Sequence, residues 1–171
     1  MTSRFETSVW LPHPIRAVFA YFADPRHLNE TTPAWFHLDF EQALPEMSPG
    51  ATISYRLRYR LLSLAWTSRI LAWEPPTFFA YEQERGPYRS FLHEHRFAEL
   101  SGGTTMTDRV IYRAPFHRLT QPWVERDLEA IFRFRRGVAR RLFGGPAAPP
   151  EGLIESAPSL HLLARKGSAD E

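Results

Sequence analysis

The sequence predicts an α+β domain: a curved seven-stranded antiparallel sheet, two short helices after the first strand, and a long C-terminal helix over an apolar cavity. Three observations carry this. Stretches between Arg4 and Arg113 repeatedly alternate in polarity with period two, as half-buried strands do. Across successive hairpins one face stays aromatic and aliphatic while the arginines fall on the other, and a one-residue slip at any turn would destroy that agreement. After Pro115 the apolar period changes to the three-and-four spacing of an amphipathic helix.

Arg4 to Leu11 sets Phe5, Thr7, Val9 and Leu11 against Arg4, Glu6, Ser8 and Trp10, giving the first strand. Pro14 suits the first turn of a helix carrying Val18, Phe19 and Phe22. Asp24-Pro25 ends it, because a residue before proline is pushed out of helical torsions, and a second short helix or turn is expected over Arg26 to Thr32. Phe36, Leu38 and Phe40 share one face of a strand over Trp35 to Glu41, and Pro45, Pro49 and Gly50 mark a loop. In the clearest strand Ile53, Tyr55, Leu57, Tyr59 and Leu61 alternate with Ser54, Arg56, Arg58 and Arg60. A turn at Leu62-Ser63 leads into Leu64 to Trp73, and Glu74-Pro75-Pro76-Thr77 turns into Phe78 to Arg85. These turns set Tyr59 opposite Trp66, Leu57 opposite Ser68 and Tyr55 opposite Ile70; then Ile70 opposite Tyr81, Ser68 opposite Gln83 and Trp66 opposite Arg85.

A loop at Gly86-Pro87-Tyr88 next places Tyr81 opposite His93 and Gln83 opposite Phe91. In the last hairpin Phe91, His93, His95 and Phe97 share the inner face, and Ser90, Leu92, Glu94 and Arg96 share an outer face expected to be charged and ordinary. A tight turn at Gly102-Gly103 sets Phe97 opposite Asp108, His95 opposite Val110 and His93 opposite Tyr112. Two histidines and one carboxylate are thereby placed among aromatic and aliphatic side chains. The final helix is expected from an N-cap at Thr120, with Pro122 in its first turn, through Val124, Leu128, Ile131, Val138 and Leu142 to the stop at Gly144-Gly145-Pro146. One domain over 1–145 is therefore expected, followed over 146–171 by a loosely ordered tail rich in Pro and Ala.

The composition narrows the function classes. Hydrophobic content of 43% and charged content of 23% are those of a globular chain, and no stretch approaches a membrane span, so no stable membrane insertion is expected. The segment MTSRFETSVW has no basic region leading into an apolar core, so no secretory signal is expected. The absence of cysteine excludes disulfides, thiolate ligands and a cysteine nucleophile, and fits a cytoplasmic protein. A net charge of +2 gives no reason to expect nucleic acid as a partner. There is no glycine-rich phosphate loop, no Gly-x-Ser-x-Gly elbow and no Cys/His zinc spacing, so no cofactor is expected. A monomer or homodimer is expected.

The order of elements, with GPYRSFLHEHRF and GTTMTDRVIYRAP, resembles the START-like superfamily, also called SRPBCC or Bet v 1-like, over roughly Arg4 to Phe143. Within it the chain is most similar to small bacterial polyketide cyclase/dehydrase and lipid-transport-like proteins. The resemblance implies a helix-grip fold around an apolar cavity, in a superfamily of lipid carriers, hormone receptors and aromatase/cyclases. It carries no catalytic residue, because no catalytic motif is common to these proteins.

His93 and His95, on one face of a strand with Asp108 beside them, have three roles open to them. They hydrogen-bond in a half-wet cavity and position a ligand, or act as acid and base with the carboxylate fixing a tautomer, or hold a metal with Asp108. Positioning is the plainest of these, and metal is weakest because no third histidine has suitable spacing. Gln83 and Arg85 lie on the inner row at a strand end, where the arginine either clamps an anionic group or, more plainly, runs to solvent. Tyr55, Tyr59, Trp66, Phe79, Tyr81, Phe91 and Tyr112, with Ser68 among them, are read as cavity lining, and Arg133, Arg135, Arg136, Arg140 and Arg141 as a solvated helix face. The expected function is the holding of a small hydrophobic ligand: a lipid, isoprenoid, quinone or aromatic polyketide. The alternative is a cofactor-independent cyclase, dehydratase or isomerase using His93 or His95 with Asp108.

Overall fold

The computed structural model describes residues 2–145; the expected tail over 146–171 lies outside them. Strand β1 (Ser3–Leu11) is followed by α1 (Ile15–Phe22) and a single 3₁₀ turn at Pro25–His27. Then come β2 (Phe36–Phe40), β3 (Thr52–Tyr59), β4 (Leu62–Glu74), β5 (Phe78–Arg85), β6 (Ser90–Leu100) and β7 (Gly103–Arg113), and the chain closes with α2 (His117–Phe143). The strands form one antiparallel sheet in the order β1-β7-β6-β5-β4-β3-β2, so β1 is carried across to pair with the last strand. The α+β helix-grip arrangement is that predicted from the sequence.

The faces were legible; several partners were not. In β3–β4 the two-residue turn is Arg60-Leu61, not Leu62-Ser63, so Tyr55 pairs with Trp66, Leu57 with Leu64 and Tyr59 with Leu62. Arg60 takes the left-handed torsion (φ 54) there, a conformation usually left to Gly, Asn or Asp. In β6–β7 the turn is Ser101-Gly102, both at positive φ, as a two-residue hairpin turn requires. His95 therefore faces Asp108, His93 faces Val110 and Phe91 faces Tyr112. Gly103 sits in the strand itself: a Cβ there would lie 2.4 Å from the Leu11 carbonyl oxygen, so glycine is needed for close approach rather than for the turn. In β4–β5 the pairs Ile70–Tyr81 and Ser68–Gln83 hold, but a bulge sets Arg85 against Thr67 instead of Trp66. Tyr81 pairs with His93 as expected.

Helix α2 starts a turn earlier than Thr120. Phe116 occupies the N-cap in a left-handed conformation, and the Thr120 hydroxyl donates to the Pro115 carbonyl from inside the first turns. The helix stops where Gly144 (φ 72) returns its N–H to Arg140. Its buried face is Leu128, Ile131, Phe132, Arg135, Val138 and Ala139. Burying Phe132 alone is worth about 1.5–3 kcal/mol, and it does so while stacking on Phe5 of β1.

The outer face of the sheet is not ordinary. Glu94 and Arg109 are buried there, 0% and 4% exposed, with Arg109 Nη1 3.3 Å from Glu94 and its Nε 2.6 Å from Glu6. Phe78, Ala80 and Leu92 form a small apolar cluster on the same face, covered by the Arg96 guanidinium 4.5 Å above the Phe78 ring.

Candidate functional site

Between the sheet and α2 lies a cavity of about 440 Å³. The sheet contributes Tyr55, Trp66, Ser68, Tyr81, Phe91, His93 and His95, the helix contributes Val124, Leu128, Ile131, Phe132 and Arg135, and Leu28, Phe36 and Met47 close one side. The aromatic wall is ordered by its own contacts. Tyr55 and Trp66 stack at 12°, Trp66 meets Phe91 edge-on at 5.2 Å, and Ser68 accepts a hydrogen bond from the Trp66 indole at 3.0 Å. That bond satisfies a donor which burial would otherwise strand.

One wall is polar. His93 Nε2, His95 Nδ1 and Arg135 Nη1 lie 3.1, 2.8 and 3.3 Å from a single oxygen, Asp108 Oδ1. On the far side of His93, Nδ1 lies 2.7 Å from the Tyr81 hydroxyl. All four charged or imidazole side chains of this group are buried. Burial raises the cost of ionising Asp108, but the close approach of His95, the bond from His93 and the Arg135 guanidinium outweigh it and hold the carboxyl well below its usual range. Burial, then His95, pushes His93 down to about 3 despite its bond to Asp108, and burial lowers His95 too. At neutral pH the cluster is therefore one carboxylate, one guanidinium and two neutral imidazoles. Because a carboxylate only accepts, His93 carries its proton on Nε2, and Nδ1 accepts from Tyr81. Tyr81 itself is pushed up to about 12 by burial and remains a neutral donor.

Not every expected residue reaches the cavity. Asp108 sits behind the histidines, outside the lining, and acts on it only through them. Gln83 closes the β5–β6 loop instead: its amide donates to the Tyr88 carbonyl at 2.8 Å and accepts from the Tyr88 N–H. Arg85 is exposed at the strand end. Tyr112 packs with Val110, Leu128 and Phe132, away from the open space. Arg135 was hidden among the helix arginines, yet its position carries a signal: it lies four residues after Ile131 and three before Val138, on the apolar stripe. Leu142, read into that stripe, is 52% exposed.

The ligating atoms of His93, His95 and Asp108 lie within 4.8 Å of one another, close enough to share a metal ion. Arg135 makes the set a poor one: a divalent ion on Asp108 Oδ1 would share that oxygen with a buried guanidinium. The arrangement fits hydrogen-bond recognition of an oxygen atom, and proton exchange through Tyr81, better than cation binding.

Solved structures share this architecture. The di-domain ARO/CYC StfQ from the steffimycin biosynthetic pathway superposes with a TM-score of 0.66 at 12% identity, over 84% of this chain and 51% of its own. Protein CV1439 from Chromobacterium violaceum gives 0.65 at 14% identity, over 84% and 98%. Ara h 8.0201 gives 0.61 at 14% identity, over 82% and 99%. At such identities these establish the fold, which is that of the SRPBCC, or Bet v 1-like, superfamily. No curated protein matches the chain. A family model described as polyketide cyclase/dehydrase and lipid transport matches residues 2–141, and with the cavity and the helix grip already in place, the chain belongs to that family.

Proposed function

We propose that the protein binds an uncharged hydrophobic small molecule whose apolar body fills the cavity and whose one hydrogen-bonding oxygen meets Tyr81, His95 and Arg135, with His93 holding Tyr81 in place. The observation that carries this is the buried polar cluster on one wall of an otherwise aromatic and aliphatic cavity. The cluster is already balanced, Arg135 against Asp108 with neutral histidines, so a ligand carboxylate would enter as an uncompensated buried charge. A ketone, phenol or alcohol needs no counter-ion and can accept from Arg135, and a hydroxyl can also donate to the His95 nitrogen that faces away from Asp108. Among lipids, isoprenoids, quinones and aromatic polyketides, this favours molecules ending in a carbonyl or hydroxyl over free acids. Apolar burial supplies the affinity at roughly 25 cal/mol per Å², less the ordering costs.

The family's description supports a second reading, in which the bound molecule is also turned over. The relay Tyr81 O–H to His93 Nδ1, His93 Nε2–H to Asp108, is the observation that favours it, since passing its proton to His93 would leave the Tyr81 oxygen to take a proton from the ligand in a dry pocket, and the imidazole would later return the proton to Tyr81. One experiment serves both. The uncharged dye phenylnaphthylamine is displaced from the cavity by aromatic ketones and by a fatty acid of matched size, and the recovered ligands are analysed chemically. The ketones should compete at least about tenfold better, a difference of about 1.4 kcal/mol. Equal competition by the acid sinks the neutral-ligand reading, and a chemical change that vanishes in Tyr81→Phe establishes the second.

A further inference from the structure

Among the described residues, eight large hydrophobic side chains are exposed, and five of them sit together around the cavity mouth. Leu61 is fully exposed, Phe116 78%, Leu119 71%, Trp123 60% and Leu62 57%. Leu62, Phe116 and Trp123 also line the cavity, so the patch is continuous with the interior. Its two halves are clasped: the Tyr59 hydroxyl donates to Asp127, and Arg60 Nη2 lies 3.6 Å from the same carboxylate, joining the β3–β4 tip to the second turn beyond Leu119. A leucine at the tip of a two-residue turn, where polar residues and glycine are the rule, has no folding rationale.

The surroundings are basic. Residues 59–62, 86–89 and 113–127 carry Arg60, Arg89, Arg113, Arg118 and Arg126, all exposed, against Glu125 and the clasped Asp127. We propose that this mouth docks on an anionic lipid surface, with Leu61, Leu62, Leu119, Phe116 and Trp123 entering the headgroup–acyl boundary and the arginines meeting lipid phosphates and carboxylates. Tryptophan suits that boundary because its ring is apolar and its N–H is not. A second copy of this chain fits less well, since a two-fold interface would set the same arginines against each other. Docked in this way, the cavity opens toward the bilayer, and a hydrophobic ligand passes between the two without crossing water. Docking stands on the patch alone; only this direction of transfer rests on the ligand-binding reading above.

The test is sedimentation of the full chain with vesicles of phosphatidylcholine, with and without about 30% phosphatidylserine, a fraction that gives the negative surface potential basic segments respond to. Binding should be confined largely to the anionic vesicles and fall as salt rises. Leu61→Ser with Leu119→Ser, both outside the cavity lining, should lower the partition coefficient by roughly tenfold or more, and Arg113→Gln with Arg118→Gln by a similar factor. Dye uptake by the cavity should be unchanged in all four substitutions, which shows that the variants are folded and separates this result from failure of ligand binding. No vesicle binding, binding indifferent to either pair of substitutions, or a dimer that dissociates in Leu61→Ser with Leu119→Ser without any vesicle binding would each overturn the proposal.

Discussion

Asp108 Oδ1 gathers two imidazoles and a guanidinium, and the consequences are set by the direction of each shift. His93 is held near 3 when folded against about 6.5 when unfolded, so below pH 6.5 the unfolded chain binds a proton that the folded one refuses. His95 is lowered in the same sense. Asp108, lowered when folded, adds stability above its unfolded value near 3.9 and loses it below. All three therefore weaken the fold as pH falls: the histidines from about 6.5 downward, and the carboxylate only near the bottom of that window. Stability measured by urea unfolding should drop on the order of several kcal/mol between pH 7 and 4, and His93→Gln should flatten that slope by up to about 1.4 kcal/mol per pH unit. An unchanged slope in the variant would mean that His93 takes up its proton as readily in the folded chain as in the unfolded one. At this scale the sequence was half legible. The His-x-His spacing and Asp108 could be placed on one face from period two alone, whereas Arg135 lay in a run of arginines whose plainest reading was solvent, and Gln83 was claimed by a loop carbonyl that no spacing reveals.

Elements were easier to find than to register. Period two identifies a strand's faces, but its partners depend on which two residues make the turn, and here both misplaced turns moved the register by an even number of residues. The faces survived; the neighbours changed. In β6–β7 three adjacent candidates, Ser101, Gly102 and Gly103, compete for two turn positions, and what decides is β1 pressing on Gly103. Only a tertiary contact holds that information. Gly103→Ala should consequently cost more than Gly102→Ala. Its Cβ would meet backbone at 2.4 Å and the Trp10 ring at 2.8 Å, whereas a Cβ on Gly102 meets nothing and costs only its left-handed torsion. We expect a loss of about 1–2 kcal/mol for Gly102→Ala and more than that for Gly103→Ala, with faster amide exchange along β1 in the second variant alone. Equal losses would place the turn at Gly102-Gly103 after all.

The molecule as a whole divides its core rather than filling it. One apolar cluster ties β1, α1 and the ends of β5 to β7 together, another joins β2, β3 and β4, and a third seats α2 on β7. The cavity lies among them, a volume in the range of small-molecule sites. Native interiors are otherwise close-packed, so an apolar space of this size forgoes contacts that a ligand would restore. Stability and occupancy should then trade against each other. A ligand present at about a hundred times its Kd stabilises by roughly 2.7 kcal/mol, which at this chain length raises Tm by about 5–10 °C. Phe91→Trp, against the wall formed by Trp66 and Tyr88, puts protein where ligand would be. The variant should have a higher Tm when empty and a smaller rise when ligand is added. A lower Tm with an undiminished rise would show that the space beside Phe91 is already packed, and that ligand sits deeper, against Ile131 and Arg135.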